Sequence, residues 1–213
     1  MKISLLRHGK TKLDDIYRGH TDVALTDQGF EQMHQSVATL KLPVDYLVSS
    51  DLQRCAKFSA SLMPKLKIEK RFKEMSFGDW DGQLRAKIWR EQPEAVSQFW
   101  SNPMHCCAPN GETVLQLQIR AMEALHEHVK SAIKLNCKHM LIVTHGGVIR
   151  AMLGSILHMD AKGLFNFNLP YAGLVPLHLV TFDDESVHAS KVSLRGEHPA
   201  QLQVNRHLTV LQK

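Results

Sequence analysis

The sequence predicts an α/β protein with a largely parallel sheet. Short apolar runs alternate with amphipathic helical stretches over most of the 213 residues, and two of those runs are followed, one residue later, by a histidine and a glycine. No apolar run approaches the length of a membrane span.

The elements follow in order. "KISLL" at 2–6 reads as a short buried strand leading into Arg7, His8 and Gly9. "LTDQGFEQMHQSVATLKL" at 25–42 places Phe30, Met33, Val37 and Leu40 at helical spacing. "DYLVSS" at 45–50 is a second buried strand. Ser50 and Gln53 then have the spacing of a capping box, which predicts a helix beginning just before Arg54 and ending near Pro64. Residues 83–135 interrupt the alternation and read as mostly helical, with a break around "SNPMHCCAPNGET". "KHMLIVTHGG" at 138–147 is the clearest strand, and the helical run "VIRAMLGSILHM" follows it. Two further strands are expected at 174–182 and 187–194, around the acidic turn "DDES". There is no repeat, low-complexity stretch or linker, so a single domain over 1–213 is expected.

Composition narrows the function classes. Hydrophobic residues are 44% and charged residues 22%, ordinary values for a globular chain. The net charge is +5, with basic and acidic residues interleaved and no run of five Lys or Arg. That argues against a nucleic-acid surface and suits a pocket for a small anion. Cys55, Cys106, Cys107 and Cys137 form neither a disulfide framework nor a C-x-x-C zinc pattern. A reduced, cytoplasmic protein without metal, cofactor or membrane partner is therefore expected, as a monomer or a dimer.

The chemistry gathers where strands end, because open α/β sheets bind ligands at their carboxyl edge. Arg7 and His8 end the first strand, Arg54 follows the second, and His145 ends the third, before Gly146 and Gly147. Glu74 lies in the loop "EMSFGDWDG". Two arginines and two histidines converging on one point make an anion site, since guanidinium forks match phosphate oxygens. A neutral imidazole there can attack phosphorus. A carboxylic acid at the pocket edge can protonate the leaving alkoxide and later accept a proton from water. His34, His126 and His128 fit solvated helix faces, and His105 and His188 fit loops.

"LLRHGKT" resembles the R-H-G signature of the histidine phosphatase superfamily, the phosphoglycerate-mutase-like proteins. "GHTDVALTDQGFEQ", "SSDLQRCAKFSA", "EMSFGDWDG" and "VTHGGVIR" are similar to the family's later motifs, in the family's order over roughly residues 3–180. The resemblance implies a three-layer αβα fold with a helical lid insertion, here 83–111. It also implies a metal-independent phosphomonoester hydrolase working through a phosphohistidine. His8 would be the nucleophile and Glu74 the proton donor. Arg7, Arg54 and His145 would hold phosphate, with Gly19, Lys10 and Gly146 around the substrate. Lys10 stands where many relatives carry Glu, and Asp14 where many carry Asn. An ionised Asp cannot donate to phosphate, so Asp14 is left outside the catalytic set.

Overall length, the acidic loop and "PNGET" resemble most the bacterial α-ribazole phosphatases, which implies α-ribazole 5′-phosphate as substrate. A sugar-phosphate phosphatase, a phosphoglycerate mutase and a non-catalytic phospholigand-binding module are the alternatives. Trp89, Phe99, Trp100 and Met104 are the lid side chains that are candidates to meet the organic part of a substrate, although for any single one of them packing of the lid onto the domain is the preferred reading. Phe77 and Trp80 are expected to stack on it or to keep water from Glu74.

Overall fold

Strand side chains point alternately to the two faces of the sheet, and this decides which helix packs where. A computed structural model describes residues 1–181 and 190–193. Its strands are β1 (Lys2–Arg7), β2 (Tyr46–Ser49), β3 (Lys67–Ile68), β4 (His139–Thr144), β5 (Leu174–Thr181) and β6 (Ser190–Ser193). They form one sheet in the order β3-β2-β4-β1-β5-β6. β3, β2, β4 and β1 run parallel, whereas β5 is antiparallel to both β1 and β6.

Ile3, Leu5, Tyr46, Val48, Met140 and Ile142 point to one face, against α5 (Val114–Lys134) and α6 (Gly146–Leu157). Leu6, Leu47, Leu141 and Val143 point to the other, against α1 (Asp27–Ala38) and α2 (Gln53–Leu62). This is the three-layer αβα arrangement. It explains why β4 reads as an unbroken apolar run, for it is buried on both faces.

Helix α1 is shorter than the expected 25–42. Thr26 caps it by accepting the Gly29 N–H at 2.9 Å, and the chain leaves the helix at Thr39, four residues before Pro43. Met33 is buried, Phe30 and Val37 pack beside it, and Leu40 lies beyond the helix end.

Helix α2 begins at Gln53 without the expected capping box. The Gln53 N–H is met by the Asp22 carboxylate at 2.8 Å, and the Ser50 hydroxyl is engaged by a histidine of the site. The Ser50 oxygen accepts from the histidine and, at 3.3 Å, from the Leu52 N–H, so both of its lone pairs are taken before the Gln53 N–H, which turns to Asp22. The helix ends at Leu62, two residues before Pro64.

Residues 83–111 hold α3 (Arg85–Glu91) and α4 (Pro93–Ser101). Their inward side chains Ile88, Val96 and Phe99 join the main core. Phe99 is therefore core, and Met104 packs against it, while Trp89 and Trp100 remain 49% and 45% exposed. Trp80 is fully buried between Tyr17 and Phe99, with its Nε1–H on Gln92, and is unavailable for stacking on a substrate. Phe77 packs against the same two rings.

His128 also departs from expectation. It is half-buried, with Nδ1 at 3.1 Å from the Tyr46 hydroxyl and Nε2 at 3.2 Å from Glu69, so it joins helix α5 to the β2–β3 edge. His34 packs its ring against Phe30 and Phe58. The "DDES" turn and His188 lie outside the described residues. Among the described residues no helix is long and apolar enough to cross a membrane.

Candidate active site

Arg7 on β1 and Thr144 on β4 are register partners on adjacent parallel strands, so the next residues, His8 and His145, leave the sheet side by side. Their ring centroids are 5.3 Å apart with planes 62° apart. The end of β2 delivers Ser50 and then Arg54 on the first turn of α2 to the same edge. The sheet thus brings together His8, Arg7, Arg54 and His145 from three strand ends.

Each imidazole is fixed by a neighbour that can only donate or only accept. His8 Nδ1 lies 2.8 Å from the Gly9 carbonyl oxygen, so it must carry the proton, which leaves Nε2 with its lone pair free. Arg54 Nε–H donates to His145 Nδ1 at 3.2 Å, so the His145 proton sits on Nε2 and is donated to Ser50 Oγ at 2.8 Å.

Burial, followed by the charge of Arg54, holds both rings well below the usual imidazole pKa range. His8 is 3% exposed and His145 is fully buried. Both are therefore neutral at ordinary pH. Cys55, buried under His145 with Sγ 3.7 Å from Nε2, has its thiol pushed up by the same burial and stays protonated.

The arginines differ in what they have left to give. Arg54 is fully buried, and its terminal nitrogens donate to the Gly19 and Thr21 carbonyls, each at 2.8 Å. Three of its five N–H groups are thereby used, so the fork still has donors for an anion. Arg7 donates to the Leu169 carbonyl at 2.5 Å and lies 4.4 Å over the Tyr171 ring. Its buried Nε–H has no partner among the described residues, which at this position suits a ligand oxygen.

Glu74 reaches the site from the loop before the next helical turn. Its Oε2 accepts the Gly147 N–H at 3.1 Å at the start of α6, and Oε1 accepts the Met75 N–H at 2.9 Å. These two N–H groups fix the direction of the Glu74 carboxyl group. Gly147 is required by this contact, since a Cβ at that position would come within 2.3 Å of Glu74 Oε1.

The remaining expected residues are placed as follows. Gly146 opens α6 beside Arg7. Gly19 accepts from Arg54, and its own N–H is taken by Asp81 at 2.7 Å. Lys10 is held through its backbone, with N–H on Gln32 and carbonyl accepting from Thr26. Gly9 is fixed by the crossing of α1, because a Cβ would meet the Gly29 carbonyl oxygen at 1.9 Å.

Asp14 has three partners: the Tyr171 hydroxyl at 2.9 Å, Arg18 at 3.3 Å and Thr11 at 3.4 Å. Burial raises its pKa, but these hydrogen bonds outweigh it and hold the carboxyl below the usual range. Asp14 is therefore an ionised acceptor at the pocket mouth.

Sequence reasoning missed Tyr171, Leu169 and Arg18. β5 runs antiparallel, so the residues preceding it arrive at the edge where the parallel strands end. Tyr171 stands 5.8 Å from the His8 ring and accepts from Arg18 at 2.8 Å. The charge of Arg18 bears on Arg7, His8, Arg54 and His145 alike. Among the described residues no group of three or more His, Cys, Asp or Glu side chains is placed to hold a metal ion.

Neutral histidines set among buried guanidiniums at the carboxyl edge of such a sheet suit a protein that binds and transfers phosphoryl groups with its own side chains. The family model of the histidine phosphatase superfamily (branch 1) matches residues 3–193, and the chain belongs to that superfamily. It is a phosphatase by that membership.

The chain is 28% identical over 183 residues to the adenosylcobalamin/alpha-ribazole phosphatase of Escherichia coli (strain K12), covering 79% of this chain and 85% of the relative. It is 30% identical over 174 residues to a metal-independent phosphoserine phosphatase of Arabidopsis thaliana, covering 76% and 71%. The native structure of a mycobacterial glucosyl-3-phosphoglycerate phosphatase has the same fold, with TM-score 0.76 at 23% identity over 92% of this chain and 97% of that one.

Proposed function

We propose that the protein hydrolyses a small phosphomonoester in two steps through a phosphohistidine on His8, with α-ribazole 5′-phosphate as substrate. One observation carries the mechanism: His8 is neutral, with its proton turned to Gly9 and its Nε2 lone pair left free among Arg7, Arg54 and His145. Nε2 attacks phosphorus and the P–O ester bond breaks. Glu74, as the carboxylic acid, gives its proton to the leaving alkoxide. Water then attacks the phosphohistidine, Glu74 takes the water's proton, and inorganic phosphate leaves with His8 restored. The arginines carry the charge on the transferring group throughout, so the mechanism calls on no metal.

The likeness to the Escherichia coli enzyme over 79% of the chain supports α-ribazole 5′-phosphate. The 30% identity to a metal-independent phosphoserine phosphatase favours a second reading, a phosphorylated hydroxy acid. In either case 83–111 serves as the lid, with Trp89 and Trp100 as its exposed aromatics. The free cysteines fit a reducing, cytoplasmic setting.

The test is phosphate release in EDTA from α-ribazole 5′-phosphate, phosphoserine, 3-phosphoglycerate, fructose 2,6-bisphosphate and nucleoside monophosphates. The expected result is the highest kcat/KM on α-ribazole 5′-phosphate. Preference for phosphoserine selects the second reading. An isomerised ester in place of inorganic phosphate shows a mutase, and activity that EDTA abolishes overturns the mechanism.

A further inference from the structure

Arg120 lies on α5, 46 residues after Glu74, and every one of its five N–H groups is engaged. Nε and one terminal nitrogen hold the Glu112 carboxylate as a fork, at 2.9 and 2.5 Å. The remaining bonds go to backbone carbonyls of a single segment: Arg71 at 2.5 Å, Lys73 at 2.8 Å and Glu74 at 3.0 Å. Glu112 is pinned to that segment as well, since its Oε1 accepts the Ser76 N–H at 2.7 Å and its own N–H donates to the Ser76 carbonyl at 3.0 Å. The ion pair is mostly buried, with side chains 22% and 16% exposed.

The loop 71–76 is therefore gripped from two sides. On the site side the Glu74 carboxylate rests on the N-terminus of α6 through Gly147. On the far side Arg120 and Glu112 hold the backbone from which that side chain projects. The buried side chains of Phe72 and Met75 and the Thr144 hydroxyl on the Phe72 carbonyl also anchor this loop, but among the described residues only Arg120 holds the Glu74 carbonyl itself, and the Glu74 carboxyl group must give and take a proton. A general acid loses its advantage with small errors of placement, about 10²-fold for 1 Å.

We propose that Arg120, braced by Glu112, is a positioning residue that fixes the direction in which Glu74 delivers its proton. The proposal rests on the reading of Glu74 as the proton donor. A lysine cannot take its place, because three donors on a point charge do not span two carboxylate oxygens and three carbonyls.

The experiment compares the wild type, Glu74→Gln, Arg120→Lys and the double variant on an alkyl phosphate and on p-nitrophenyl phosphate, whose leaving group hardly needs a proton. Arg120→Lys is expected to lower kcat on the alkyl ester about 10-fold or more, with KM little changed, and to lower kcat on p-nitrophenyl phosphate less than about 3-fold. In the Glu74→Gln background it should add nothing on the alkyl ester. Equal losses on both esters, or losses that multiply with those of Glu74→Gln, overturn the proposal and show a merely structural role. If Glu74→Gln itself shows no preference between leaving groups, the proton-donor reading fails instead. Circular dichroism and thermal melting check the fold. If Arg120→Lys does not fold, Glu112→Gln, which keeps an acceptor for Ser76 but breaks the charged fork, is read by the same criteria.

Discussion

The Ser50 hydroxyl receives the proton of His145 Nε2 at 2.8 Å, while Arg54 occupies the opposite ring nitrogen at 3.2 Å. One residue from the end of β2 and one from the first turn of α2 thus set the tautomer of a histidine at the end of β4. Replacing Ser50 with Ala removes an acceptor from a fully buried N–H, which costs about 1–3 kcal/mol when left unpaired. Ser50→Ala is expected to lower the melting temperature and to weaken vanadate binding. Unchanged vanadate affinity would show that this bond does not tune the site.

His8→Ala should abolish both turnover and the acid-labile phosphoenzyme, a loss on the order of 10⁴-fold or more in kcat. The fold should survive, because His8 follows β1 and gives the sheet no apolar side chain. Rapid quench with a labelled phosphate ester measures the intermediate. Substantial turnover in the variant would mean that another group attacks phosphorus.

Gly147→Ala separates stability from activity. Gly147 is the second residue of α6, where alanine gains less than the roughly 1 kcal/mol of a helix interior, so the melting temperature should change little. The new Cβ would displace Glu74 Oε1, which lies 2.3 Å from that position. Alkyl phosphate turnover should fall roughly 10- to 100-fold. Retention of full activity would show that the acid does not depend on this seat.

The pH dependence has a definite sign. Burial, then Arg54, lowers the pKa of His8 and of His145 in the folded protein, while the unfolded chain titrates near 6.5. Above that pH both states hold neutral rings, and the histidines exact no penalty. As pH falls below about 6.5 the unfolded state takes up protons that the native state refuses, so stability declines until the folded values are reached. Urea unfolding between pH 7.5 and 5 should show this decline. Imidazole C–H resonances lost in His8→Ala should titrate, in the wild type, below the ordinary imidazole range. A His8 pKa at or above 6.5 would contradict the neutral nucleophile.

The local code carried a large share of this architecture. The largely apolar runs at 2–6 and 138–144, each followed within two residues by His-Gly, announced the two strands that hold His8 and His145, because a strand buried on both faces is mostly apolar. The residue types alone supported an anion site, since arginine forks and imidazoles offer little else so suited to phosphate.

What the sequence could not determine was direction and distance. Tyr171 reaches His8 only because β5 enters antiparallel, and Ser50 serves His145 because β2 lies beside β4. Trp80 became core where its place beside the acidic loop allowed a substrate contact, and Phe99, one of four lid candidates, packs into the core while Trp89 and Trp100 stay exposed. Arg120 finds its loop through the packing of α5 against the sheet. Periodicity and caps act over a few residues, whereas these contacts are set by strand order and burial across the whole chain. Only the tertiary structure could decide them.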